Sequence, residues 1–167
     1  MPCVFVIDPG LRFAGITAFA DGAIIYSETL KFNTKLPQQK RIFNLFDRME
    51  QISKIFPEVT VVITEYQFVS QMSWIVGCLM TFAGSIDAEL IKYTPSQWKK
   101  MATGKGNISE EELRNIIIEK YPESIEYSEH QIDTLGMYLA YEKSGENNVS
   151  PSKKPNKRKN SSKNKTN

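Results

Sequence analysis

Val4-Phe5-Val6-Ile7-Asp8-Pro9-Gly10 decides how this chain is read. An apolar run of strand-forming residues ends on an acid at a turn. A half-buried carboxylate is costly to leave unpaired, and a divalent cation is its usual partner. Val59-Thr60-Val61-Val62-Ile63-Thr64-Glu65 repeats the arrangement. Asp8 alone has an ordinary structural reading, since aspartate is common at turns. Glu65 is harder to explain that way because glutamate is depleted in strands, although a structural salt bridge would account for it.

Working outward, residues 3 to 8 read as a buried strand, and 15 to 20 and 23 to 32 as two more. Asp21-Gly22 between them is a hairpin turn. Pro9-Gly10 turns the first strand back, which predicts an antiparallel three-strand meander. Residues 38 to 56 place Ile42, Phe43, Phe46, Met49, Ile52 and Phe56 at helical spacing, stopped by Pro57. Strand four, 59 to 65, follows that helix and is expected to lie parallel to strand one.

Residues 70 to 87 read as a second, apolar helix whose Gly77, Ala83 and Gly84 would permit close packing. Strand five is short, 89 to 93. Two capping boxes follow, Thr94-Pro95-Ser96-Gln97 and Ser109-Glu110-Glu111-Glu112, with the loop Thr103-Gly104-Lys105-Gly106-Asn107 between their helices. The last helix, about 129 to 143, turns Ile132, Leu135, Gly136 and Leu139 to the core. His130 and Asp133 share the adjacent face. His130 is the only histidine, and a lone helical histidine is commonly a satisfied or solvated side chain. Asp133 sits mid-helix beside core residues, where aspartate has poor propensity, and that mismatch points to function.

At 167 residues and 41% hydrophobic content the chain suits one α/β domain. No apolar stretch approaches the roughly 20 residues of a membrane span. No basic n-region precedes the first strand, so a secretory signal is not expected. Cys3 and Cys78 lack metal-type spacing and are expected to be reduced core thiols in a cytoplasmic protein. The net charge of +2 is uneven: seven of the 21 basic residues and none of the 19 acids fall in 151 to 167, which leaves 1 to 150 at −5. The expected organisation is a domain over 1–145 and a disordered Lys/Asn-rich tail over 146–167. The tail reads as a solubilising end or as an electrostatic arm for a polyanion, and it also looks like a nuclear localisation patch.

If strands one and four are neighbours, Asp8 and Glu65 end side by side, and His130 and Asp133 of the last helix complete a cluster. Two metals about 3.5–4 Å apart in such a cluster support phosphodiester hydrolysis.

Four segments together resemble the RuvC Holliday-junction resolvases of the RNase H-like nuclease superfamily. They are Val6-Ile7-Asp8-Pro9-Gly10-Leu11-Arg12-Phe13-Ala14-Gly15, Ile63-Thr64-Glu65-Tyr66-Gln67-Phe68, Tyr93-Thr94-Pro95-Ser96-Gln97-Trp98-Lys99 through Gly106, and His130-Gln131-Ile132-Asp133-Thr134-Leu135. The resemblance spans residues 4 to 142. It implies an RNase H-like fold, a five-stranded mixed sheet flanked by helices, and a homodimer making paired, symmetric nicks in four-way DNA junctions with two Mg²⁺ or Mn²⁺ ions per site.

Asp8, Glu65 and Asp133 match the family's metal-binding carboxylates. His130 falls where the family often has an aspartate, and it is either a metal ligand or a general base. Phe68 matches an aromatic that stacks on opened bases; its structural alternative is a core phenylalanine. Lys99 matches a phosphate-binding lysine. The family's next lysine meets Glu110 to Glu112 here, so Lys105 or Lys100 is its expected replacement. Two rival readings stand beside a resolvase: a broader branched-DNA or RNA–DNA hybrid nuclease, and an idle module that only binds structured nucleic acid. Part of a dimer surface is expected on the second helix at Met72, Ile75, Val76, Leu79 and Met80.

Overall fold

The computed structural model describes residues 2–56, 58–66 and 70–147. Five strands form one sheet: β1 (Cys3–Asp8), β2 (Phe13–Ala20), β3 (Ala23–Lys31), β4 (Val59–Glu65) and β5 (Glu89–Tyr93). Their order is β3-β2-β1-β4-β5, so the most apolar strand, β1, is central. The meander β1-β2-β3 is antiparallel, and β1-β4-β5 is parallel. Asp21 and Gly22 both have positive φ, 50° and 81°, as a tight hairpin joining right-twisted strands requires. The β1–β4 ladder is irregular at its start: Cys3 pairs with Val59 but Val4 with Val61, so Thr60 is passed over.

The helices are α1 (Gln38–Ile55), α2 (Ser70–Ser85), α3 (Pro95–Thr103), α4 (Glu110–Lys120) and α5 (Glu129–Asn147). The mixed sheet flanked by helices is the expected architecture. A 3-10 turn over Pro122–Glu126 joins α4 to α5 and was not expected. One side of the sheet packs α1 and α2 around Phe5, Ile7, Leu45, Met49, Ile52, Leu79 and Phe82. The other packs α3, α4 and α5 around Val6, Ile63, Trp98, Leu113, Ile117, Leu135 and Leu139.

Three expectations need correction. Phe43 is 68% exposed, and Leu45, two residues on, fills the core position. Its spacing put Phe43 at the edge of the apolar stripe, and the helix is rotated to favour the Leu45-Met49-Ile52 line. Gly77 and Gly84 have open space around them, so they make no close packing contact; of the three small residues only Ala83 is buried. Met72, Ile75, Val76 and Leu79 lie in the core rather than on a docking face, because α2 spends its apolar side on the sheet. Met80 and Trp74 are the large apolar residues that the described part of α2 exposes, at 53% and 71%. Both cysteines are free, Cys3 buried and Cys78 half-buried, and burial pushes each thiol up to about 11. Among the described residues no helix is long and apolar enough to cross a membrane.

Candidate active site

Asp8 ends β1 opposite Gly15 of β2. A Cβ on Gly15 would stand 2.3 Å from the carbonyl oxygen of His130, so only a bare backbone lets the first turn of α5 settle on the sheet here. That approach brings His130 Nδ1 to 2.6 Å from Asp8 Oδ2, where it donates a hydrogen bond. Asp8 is 7% exposed. The Phe13 ring stacks on the imidazole at 5.7 Å between centroids. The bond to Asp8 raises the His130 pKa above its ordinary value, against the opposing effect of burial.

Glu65 ends β4, the parallel neighbour of β1, and is 8% exposed. Its Oε2 accepts a hydrogen bond from Trp98 Nε1–H at 2.8 Å. Asp133 lies three residues beyond His130 on α5 and is half-buried. Its carboxyl is pushed up to about 7, first by burial and then by the charge of Asp8; Glu65 and Glu129 push the same way and Lys99 opposes them. Asp8 and Glu65 therefore both lie within electrostatic reach of Asp133, with His130 bonded to Asp8.

As they stand, these side chains are not a closed coordination shell. Among the described residues no three His, Cys, Asp or Glu side chains form a group that could hold a metal ion. Asp8 is turned to His130 and Glu65 to Trp98. The donor chemistry nonetheless fits a hard divalent cation. Asp8 and Glu65 end two apolar strands, His130 and Asp133 face them from α5, and Asp133 holds its proton to near neutrality first because it is buried and then because of the acids near it.

The lysines expected to meet phosphate are dispersed. Lys99 is half-buried, its ammonium 5.3 Å from the centroid of the Trp98 ring, and its charge acts on Asp133. Lys100 is exposed. Lys105 is exposed and pairs with Glu112 at 3.4 Å. Beside Asp133 opens a cleft of about 260 Å³ whose walls include Glu110, Glu111, Glu129 and Arg114. Phe68 and the basic tail fall outside the described residues.

Sequence reasoning missed Trp98 as part of the site. The only signal was an indole inside the Thr94–Lys99 motif, at a helix position that could equally be plain core.

No family model matches the chain, and no curated protein is detectably similar in sequence. Solved structures do match. RuvC from Thermus thermophilus aligns with a TM-score of 0.72 at 21% identity, over 86% of this chain and 95% of that one. T. thermophilus RuvC in complex with a Holliday-junction substrate gives 0.75 at 18%, over 89% and 98%. Fowlpox virus resolvase with Holliday-junction DNA gives 0.54 at 16%, over 84% and 97%. At these identities the likeness is one of fold: this chain has the fold of RuvC and of the resolvases built like it.

Proposed function

We propose that the protein is a metal-dependent, structure-selective DNA endonuclease that resolves four-way junctions, acting as a homodimer. The observation that carries the reading is that Asp8 and Glu65 end two parallel neighbouring strands and both act electrostatically on Asp133 of α5. The RuvC fold adds to it, since the match extends over nearly the whole of the T. thermophilus protein.

Asp8, Glu65 and Asp133, with His130, would hold two Mg²⁺ or Mn²⁺ ions. When bound, the ions neutralise charge on the phosphodiester and acidify water. The chain's own residues do the rest. Asp8 fixes the Nδ1–H tautomer of His130, which leaves Nε2 to take the proton of an attacking water or to face a cation. The hydrogen bond to Asp8, which raises the His130 pKa, makes that nitrogen a stronger base than a free imidazole. Lys99 brings positive charge next to Asp133, where a phosphate would enter. Lys100 and Lys105 are further phosphate contacts in this reading, and the 151–167 tail adds long-range attraction that the acidic remainder lacks. Phe68, three residues after Glu65, stacks on opened bases; Phe68→Ala then lowers junction cleavage in a protein that still folds, and an unfolded variant would return Phe68 to the core. The exposed Trp74 and Met80 of α2 are available to a dimer contact.

The deciding experiment offers purified protein a labelled four-way DNA junction, a linear duplex and an RNA–DNA hybrid, with Mg²⁺ or Mn²⁺. Symmetric nicks on the junction alone are expected, with Mn²⁺ at least matching Mg²⁺. Asp8→Asn should bind the junction without cutting it. Cutting of the hybrid or of every branched form would make this a broader nuclease, and binding without cutting would make it an idle module. Cleavage surviving Asp8→Asn would sink the metal assignment.

A further inference from the structure

We infer that Trp98 is a positioning residue for the Glu65 carboxylate, fixing its orientation beside a divalent-cation site shared with the acids of β1 and α5. The inference rests on the nuclease reading and deepens it. Trp98 is fully buried, and its indole N–H, a donor with no acceptor capacity, meets Glu65 Oε2 at 2.8 Å. A glutamate has three rotatable side-chain bonds, and in this corner the like charges of Asp8 and Asp133 favour its turning away. A hydrogen bond from a rigid ring holds Oε2 and so restricts the orientations open to the carboxylate. Partners of this kind behind ligating carboxylates typically change metal affinity or activity by about 10–100-fold when removed.

The ring is itself held from the site's other side. A Cβ on Gly136 would stand 2.5 Å from Trp98 Cζ3, so the indole lies flush against the backbone of α5. Gly136 is three residues beyond Asp133 on that helix. Trp98 thus spans the gap between the strand that carries Glu65 and the helix that carries His130 and Asp133. A Trp serving only as core filler needs some acceptor for its N–H. Here the acceptor is a proposed ligand, and the surface against the ring belongs to the helix that carries His130 and Asp133.

The chain has two tryptophans, so the ¹⁵N-labelled full-length protein gives two indole N–H resonances. Trp74, 71% exposed on α2, is the internal reference. Titration with MgCl₂ in the absence of DNA should move the Trp98 resonance saturably and leave that of Trp74 in place, and Glu65→Ala should remove the response. A Trp98 resonance indifferent to Mg²⁺ overturns the inference. In cleavage assays Trp98→Phe, which keeps an aromatic ring but no N–H, should lower kcat about 10–100-fold or raise the half-saturating Mg²⁺ concentration about tenfold. The KM for the junction should stay unchanged. Wild-type kcat and Mg²⁺ dependence in a folded Trp98→Phe would also overturn it; if that variant fails to fold, the resonance titration decides. A wild-type protein whose Trp98 responds to Mg²⁺ but which cuts no junction would overturn the nuclease reading while upholding the role of Trp98.

Discussion

The two sides of the sheet use the same strands for different ends. Toward α1 and α2, the strands offer Phe5, Ile7, Ala14, Ile16, Ala18 and Val62, and the helices answer with Leu45, Met49, Ile52, Leu79 and Phe82. Phe5 stacks on Phe82, and Phe46 meets Phe82 edge-on. Toward α5, polar groups run through the packing: Thr17 Oγ1 lies 2.6 Å from Thr134 Oγ1 and 2.9 Å from Ser27 Oγ, and Gln131 Nε2 donates to Ser27. Asp8, Glu65, Trp98, His130 and Asp133 all belong to this second side. Non-directional apolar packing anchors the sheet from one side, while directional bonds set positions on the other.

The contrast can be broken deliberately. The largest effect is expected at Asp133→Asn, which should lower junction cleavage by roughly 10²–10³-fold yet raise the Tm at pH 8, since it removes a carboxylate that is charged there at the cost of burial and of nearby acids. A fall in both would mean that Asp133 is structural. Phe82→Ala should do the reverse, lowering stability by about 3–5 kcal/mol in chemical denaturation while the cleavage rate per folded molecule holds.

A pH series in chelator sharpens the comparison. Asp133 binds its proton more tightly folded than unfolded, with its pKa moved from 3.8 to about 7, so stability should fall as pH climbs through that window. The His130–Asp8 pair contributes fully below 6.5, the ordinary histidine value, and that contribution fades as pH rises through the raised folded value. The two groups therefore act in the same direction. Calorimetric scans from pH 4 to 8 should show a declining Tm, flattened in Asp133→Asn and unaltered in slope by Phe82→Ala. The smallest effect is expected at Thr134→Val, about 1 kcal/mol from the lost hydroxyl pair. A much larger loss would show that the polar seam carries as much stability as the apolar side.

The sequence was most legible where local physics decides the outcome. The β1 run, the Asp21-Gly22 turn and the two capping boxes each act over a few residues, and each stands where the sequence puts it. Parallel pairing of β1 and β4 follows from the crossover, which is why the sequence alone sets Asp8 and Glu65 at neighbouring strand ends. The misses depend on rotation about an axis or on contacts distant in sequence. Periodicity gives a helix its stripe but not its edge, so it counts the exposed Phe43 as core and passes over the buried Leu45. A small residue on a helix can face either way, as Gly77 and Gly84 do. The bond from Trp98 to Glu65 joins residues 33 apart and leaves no periodic trace.

The passed-over residue at the head of the β1–β4 ladder acts as a parity switch. Side chains alternate sides along a strand, so one extra residue reverses every position after it. Val59 packs toward α1 and α2, yet Val61, two positions on, packs toward α5, and Ile63 follows it. Without the irregularity at Thr60, the odd-numbered residues of β4 would all follow Val59, and Glu65 would emerge on the α1–α2 side, its carboxylate divided from Asp8 by the thickness of the sheet. The same slip advances the alignment by one, so that Ile7 stands beside Thr64 and the next pair in line is Asp8 with Glu65. The side on which Glu65 emerges is thus settled at the far end of its strand, five residues before the acid itself.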